Sequence, residues 1–471
     1  MGREHLKPPA AYYLQSSAMK TCFYLLLAIL AFSSPAAAQA TDGKVAQQTP
    51  TALDQAIGAY VDKAYPSLFS LYKDLHAHPE LSFQEKQTAA KLAKQLKSLG
   101  YKVTEQVGGN GVVAVLQNGP GPTVLVRTDL DGLPVAEKTG LPYASKATGK
   151  NDRGEDVPTM HACGHDVHMT VWMGLAQTLM QFRQDWKGTV VLIGQPAEER
   201  SGGAMPMLRD GLFTRFPAPD YCLALHSNAG LAAGKVGYTE GAIMANVDAV
   251  DITVRGVGGH GAVPQSAKDP IVLAAQMVLA LQTIVSRETS PFEPAVVTVG
   301  SIQGGNSFNV IPDEVKLQLT LRSYSEDVRE KTIASIRRIC KGLAEGAGMP
   351  ADRLPVISVR DQHTPFTYND VPLTRRVTAS HSRVLGPAHV EATPASMVGE
   401  DFSFYGRTEK KIPICLYWLG TVDPQKLRES QEKGTPLPTL HSSAYAPLPE
   451  PAIKTGVRTM AAAVLDLLQG Q

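Results

Sequence analysis

The sequence predicts an α/β fold, a mostly parallel sheet with helices on both faces, into which a small ferredoxin-like α+β domain is inserted. Three observations carry this. Short β-rich runs alternate with helical stretches through the first half of the chain, the pattern of a sheet buried on both faces. From about Asp248 the order changes to strand–helix–strand–strand–helix–strand. A chain of 471 residues also exceeds one ordinary core, so two or three domains are expected.

Residues 1–40 read as an upstream extension and a signal peptide. The apolar stretch 22–32 follows Lys20 and leads into Pro35-Ala36-Ala37-Ala38-Gln39-Ala40, small residues suited to cleavage. It is short for a membrane span, so export to the periplasm is expected and an uncleaved anchor is the alternative. Met19 makes a tidier start than Met1, which leaves 1–18 as the extension. The catalytic domain then occupies 41–247 and 361–471. Its polar, Ala-rich lead-in covers 41–60, with helices at 65–76 and 85–99, the second closed by Gly100. Strands are expected at 111–116, 123–128, 189–194 and 221–225, with an apolar helix at 167–182. The inserted domain, 248–360, has strands at 250–254, 295–302, 314–322 and 354–360. Its helices fall at 270–286 and 326–347, and the larger domain resumes near Phe366.

Lysine and arginine (45) nearly balance aspartate and glutamate (44), which leaves no electrostatic footprint for nucleic acid or an acidic membrane. Cleavage would remove Cys22 and leave Cys163, Cys222, Cys340 and Cys415, too few for a disulfide scaffold. Cys222 and Cys415 lie in apolar runs and read as small buried residues. Cys163 has different neighbours.

The run His161-Ala162-Cys163-Gly164-His165-Asp166-Val167-His168 packs three imidazoles, a thiol and a carboxylate together, all groups that bind divalent metals. Gln195-Pro196-Ala197-Glu198-Glu199 ends an apolar run in adjacent carboxylates. Asp129 and Asp131 follow a third run and His226 a fourth. Ligand crevices of open α/β sheets lie at the carboxyl ends of the strands, so these segments should meet on one rim. Cys163 and His165, two apart, cannot share a helix face and belong on an irregular turn. Cys163 is the candidate bridge of a two-ion site, and His161 and His168 stay outside it. One of Glu198 and Glu199 suits an ion and the other a proton, although two acids opening a helix is the plain alternative. His226 and His441 are weak alone and gain weight because two ions still need nitrogen ligands. His260 in a glycine-rich turn, with Asn309 and Arg322, suits an oxyanion and a substrate carboxylate, or the turn is only backbone geometry.

Further segments extend the pattern: Leu75-His76-Ala77-His78-Pro79-Glu80-Leu81-Ser82-Phe83, Arg127-Thr128-Asp129-Leu130-Asp131-Gly132-Leu133-Pro134, Gly399-Glu400-Asp401-Phe402-Ser403-Phe404-Tyr405 and Leu440-His441. In this order the motifs resemble the carboxypeptidase-G/aminoacylase family of dinuclear metallohydrolases, zinc-exopeptidase-like in fold. The nearest branch holds hippurate hydrolases, N-acyl-amino-acid amidohydrolases and plant auxin-conjugate hydrolases. The resemblance implies two divalent ions on Cys163, His165, Glu199, His226 and His441, with Glu198 as acid/base. It implies an inserted domain that serves as lid and dimerisation surface in a homodimer, with His260 assisting the partner subunit's site. Asn309 and Arg322 would contact substrate. Arg127 departs from the wider family, where many members carry a liganding histidine, and Cys163 replaces a bridging aspartate. Zinc, manganese, cobalt and nickel all suit such a bridge. The expected activity is metal-dependent cleavage of N-acyl or N-aroyl amino acids. The rivals are an exopeptidase acting on dipeptides and a non-catalytic solute-binding protein of the same fold.

Overall fold

The computed structural model describes residues 49–361 and 363–469. The extension and signal peptide expected at 1–40 lie outside the described residues. An eight-stranded sheet forms the larger layer, and its centre is parallel: Thr189–Gln195, Thr123–Asp129, Tyr221–Ala232 and Ile414–Val422 lie side by side in that order. Antiparallel strands Gly111–Gln117 and Lys102–Val107 extend one edge, and Val236–Tyr238 with Val390–Ala392 the other. The central strands read as unbroken apolar runs because both faces are covered. Val124, Val126, Val190 and Leu192 enter one core, while Leu125, Val191 and Ile193 enter the opposite one.

Long helices Ala52–Ala77, His165–Gln181 and Pro449–Leu468 pack over the first face. The short helix Ala204–Arg209 and the 3-10 segment Asp401–Arg407 cover the second, through Met207, Phe402 and Tyr405. The first helix starts at Ala52, not 65, and absorbs much of the expected lead-in. A capping box explains the early start: the Thr51 hydroxyl accepts the Asp54 N–H at 3.1 Å, and the Asp54 carboxylate accepts the Thr51 N–H at 2.8 Å. Ile57, Val61 and Leu68 then bury one stripe.

Strands Asp248–Arg255, Ala295–Gly304, Glu314–Ser323 and Val356–Val359 form an antiparallel sheet in spatial order second, third, first, fourth. Helices Pro270–Thr283 and Glu326–Gly346 complete a core of its own, where Val250, Ile252 and Val254 meet Leu273, Met277 and Ile336. A π-turn at Ile284–Glu288 takes the end of the expected 270–286 helix. Val247 and Thr364 exchange backbone hydrogen bonds of 2.8 and 3.0 Å where the chain enters and leaves the four-stranded sheet.

His76, at the end of the first helix, is buried between two carboxylates, with Nδ1 2.7 Å from Asp166 and Nε2 3.0 Å from Glu137. Burial opposes its charge, but the carboxylates win and raise its pKa from 6.5 to about 10. The stabilisation is therefore complete below pH 6.5 and is lost as pH rises towards 10. His76→Asn is expected to lower the melting temperature most near pH 6 and least near pH 10. Equal shifts at both ends, by calorimetry, would contradict this account.

Candidate metal centre

Gly164 makes the convergence of its neighbours possible. Its φ is +82°, and a Cβ there would stand 2.7 Å from Ser227 Oγ, so only glycine fits. The bend lets Cys163 and His165 face one space although they are two apart. His165 is the first residue of its helix, with Gly164 as the cap. Its Nδ1–H donates to the Asp131 carbonyl at 2.8 Å, which leaves Nε2 as a bare lone pair. His226 repeats the device, donating from Nδ1 to the Ser227 carbonyl at 2.8 Å. It lies inside the long strand Tyr221–Ala232, not at the strand's end as expected.

The five predicted ligands come together. Cys163 Sγ lies 3.6 Å from His226 Nε2 and 3.3 Å from His441 Nε2. Glu199 reaches His441 Nε2 at 3.4 Å with one oxygen and His165 Nε2 at 3.8 Å with the other. Cys163 belongs both to a cluster with His165 and His226 and to one with Glu199 and His441, the position a bridging group requires. Cys163, Glu199, His226 and His441 line a cavity of about 440 Å³ with Glu198, Ser201, Arg322 and the apolar side chains Val247, Met397, Val398 and Leu440, whereas the fully buried His165 is not part of its lining.

These residues fit divalent cations. His165 Nε2, Glu199 Oε1 and Asp131 Oδ1 are buried without a hydrogen-bond partner, a costly state unless an ion completes them. Burial, then Glu400, Glu199 and Asp401, push the Glu198 carboxyl well up. Burial raises Glu199 to about 7 against the pull of His165. Burial and the flanking glutamates push the Cys163 thiol up as well. Groups that hold each other neutral in this way ionise together once cations lie between them.

His168 cannot serve as a ligand. Its Nε2 accepts the Ser227 N–H at 2.7 Å and its Nδ1–H donates to Asp129 at 2.8 Å, which uses both nitrogens. His161 is buried beside His165, and burial lowers its pKa to about 4; it joins no ligand cluster among the described residues. Arg127, in a strand of apolar neighbours, is fully buried against Asp129 (2.6 Å), Glu400 (2.8 Å) and Asp401 (3.2 Å). Sequence reasoning placed Asp129 on the rim but gave Glu400 and Asp401 no role. The signal was a full charge inside a run otherwise fit for a core.

Arg322 lines the cavity, but His260 and Asn309 do not. They sit on the exposed ribbon where His260 pairs with Val310 and the Gly261 N–H donates to the Asn309 carbonyl at 2.8 Å.

Residues 125–465 match the model of peptidase family M20/M25/M40. The chain belongs to this family. An N-acetylcysteine deacetylase of Bacillus subtilis is 36% identical over 366 residues, 76% of this chain and 90% of that one. A hippurate hydrolase of Campylobacter jejuni is 37% identical over 345 residues, 73% and 85% of the two chains. A dinuclear metal-binding M20 peptidase of B. subtilis superposes with a TM-score of 0.70 at 29% identity, over 87% of this chain and 100% of that one. This M20 protein is a metal-dependent hydrolase of carbon–nitrogen bonds. In it, Arg127→Met would leave three buried acids without their cation, at a cost of about 3–5 kcal/mol. Thermal denaturation is expected to show that loss, and an unchanged melting temperature would contradict it.

Proposed function

We propose that this M20 enzyme cleaves the amide bond of N-acyl or N-aroyl amino acids to a carboxylic acid and a free amino acid. The observation that carries the reading is the cavity, which gathers the acid pair, Cys163, His226 and His441 with Arg322. Arg322 donates to the Leu321 carbonyl at 2.8 Å and has no carboxylate partner among the described residues. A half-buried guanidinium left in this state suits the free carboxylate of an amino acid. The apolar side chains opposite suit an acyl or aroyl group. The names of the deacetylase and hippurate hydrolase relatives support the same substrate class.

Cys163, His165, Glu199, His226 and His441 would hold two divalent ions, with Cys163 between them. Thiolate, imidazole and carboxylate together admit zinc, manganese, cobalt or nickel. Such ions acidify water and polarise an amide carbonyl. Glu198 takes a proton from the attacking water and passes it to the departing amine nitrogen. Arg322 fixes the amino-acid end, which restricts cleavage to the terminal amide.

Glu198→Ala is expected to lower kcat by at least ~10²-fold while bound metal, measured by elemental analysis, stays near wild type. Full turnover in that variant would refute the proton role. Hippurate should be cleaved and a dipeptide with a free amino group left intact; the reverse would favour an exopeptidase.

A second copy of the chain fits the inserted domain. Strand Ala295–Gly304 is an open sheet edge, flanked by exposed Ile271, Val272, Leu279 and Ile302. Pairing such edges across a two-fold axis covers them and carries each exposed His260 and Asn309 towards the other copy. Leu279→Asp is expected to halve the mass seen in sedimentation, and a monomeric wild type would refute the dimer. The signal-like pattern of 22–32 supports export to the periplasm.

A further inference from the structure

The turn that presents Glu198 and Glu199 is strained at both ends. Ala197 (φ +52°) and Ser201 (φ +47°) flank the 3-10 segment Glu198–Arg200 in the left-handed region, which penalises residues with a Cβ. The bend sends the adjacent glutamates to different partners. Both glutamates group with His165, but Glu198 also joins Glu400 and Asp401, whereas Glu199 joins Cys163 and His441. Strain of this kind persists only where the surroundings hold it.

The hold comes from the segment Leu81-Ser82-Phe83-Gln84-Glu85, to which the proposed mechanism gives no part. Glu85 is fully buried at 0% exposure. One of its oxygens accepts the Ala197 N–H at 2.7 Å and the Phe83 N–H at 2.8 Å. The other accepts Asn110 Nδ2 at 3.0 Å. Phe83 is itself left-handed, with φ +70°. Beside it, Ser82 donates at 2.6 Å to the Asp131 oxygen that also accepts the Glu199 N–H at 3.1 Å. No lysine or arginine pairs with Glu85 among the described residues, so N–H donors alone compensate its carboxylate. A residue needed only to fill space would bring no such hydrogen-bonded polar group into the interior.

We propose that Glu85 is a positioning residue of the acid pair, its carboxylate holding the Ala197 amide and with it the left-handed bend that orients Glu198 and Glu199. This rests on Glu198 as proton carrier and Glu199 as ion ligand.

Glycine adopts positive φ freely, so Ala197→Gly removes the need for the hold. Glu85→Ala is expected to lower kcat on an N-acyl amino acid about tenfold or more, with little change in KM. It should also weaken zinc binding to the metal-free protein, measured by chelator competition. Adding Ala197→Gly to Glu85→Ala should recover most of both losses, which a mere packing defect would not allow. Wild-type kcat and zinc affinity in Glu85→Ala overturn the proposal, as does a double variant no better than the single one. If Glu85→Ala fails to fold, recovery of soluble, zinc-binding protein by the added Ala197→Gly supports the hold, and a double variant that stays unfolded refutes it. Glu198→Gln separates the two claims. If it is inactive while Glu85→Ala is fully active, only the positioning role falls; if it is active, the proton role falls first.

Discussion

Buried negative charge that must be compensated governs the rest of this structure. Asp129, Asp131, Glu198, Glu400 and Asp401 crowd one rim of the sheet with almost no exposure to water. Isolated carboxylates there would cost several kcal/mol each. One side of the rim answers with a covalent cation, Arg127, shared among Asp129, Glu400 and Asp401. On the other side Glu199 has histidines and the Cys163 thiol beside it but no lysine or arginine among the described residues, and two of the buried acceptors are left open. The division leaves one group of acids neutralised within the chain and the other open to cations. The arginine neutralises one group of acids, and exchangeable cations complete the other.

The fold delivers these groups because parallel strands end on the same side. Asp129 closes one central strand and Gln195 its neighbour, and the turns that follow bring Asp131 and the glutamate pair to one level. His226 reaches that level from within a longer strand, in register with Trp418. His441 arrives by another route, on a turn of φ +67° whose N–H donates to the Ala162 carbonyl at 2.8 Å. Backbone contact thus pairs the last ligand with the cysteine turn before any ion is bound.

Most of the architecture was legible because its signals are local. Unbroken apolar runs gave the central strands, and alternation at Val250, Ile252 and Val254 gave the inserted sheet. Cys163, His165 and the Glu198–Glu199 pair stood out because rare residue types cluster at 161–168 and 195–199, whereas the full ligand set with His226 and His441 came only from the family resemblance. What stayed hidden depends on partners remote in sequence. Glu85 meets Ala197 across 112 positions and Arg127 meets Glu400 across 273, so neither role has a local pattern. The early helix start was a different kind of miss. Thr51 and Asp54 spell a capping box, but the polar, Ala-rich stretch around them read as a loose lead.

Where the chain passes between its two sheets, the crossing is part of the cavity. Val247, the last residue before the inserted domain, lines the cavity, and its backbone pairs with Thr364 on the return. The Thr364 hydroxyl donates at 2.5 Å to Ser201, the left-handed residue that ends the Glu198–Arg200 turn. Arg322 lies one residue before the end of an inserted-domain strand, where the Ser323 backbone carbonyl accepts the Asn246 N–H at 2.8 Å. The guanidinium that suits the substrate carboxylate and the turn that carries the acid pair are therefore anchored at one crossing.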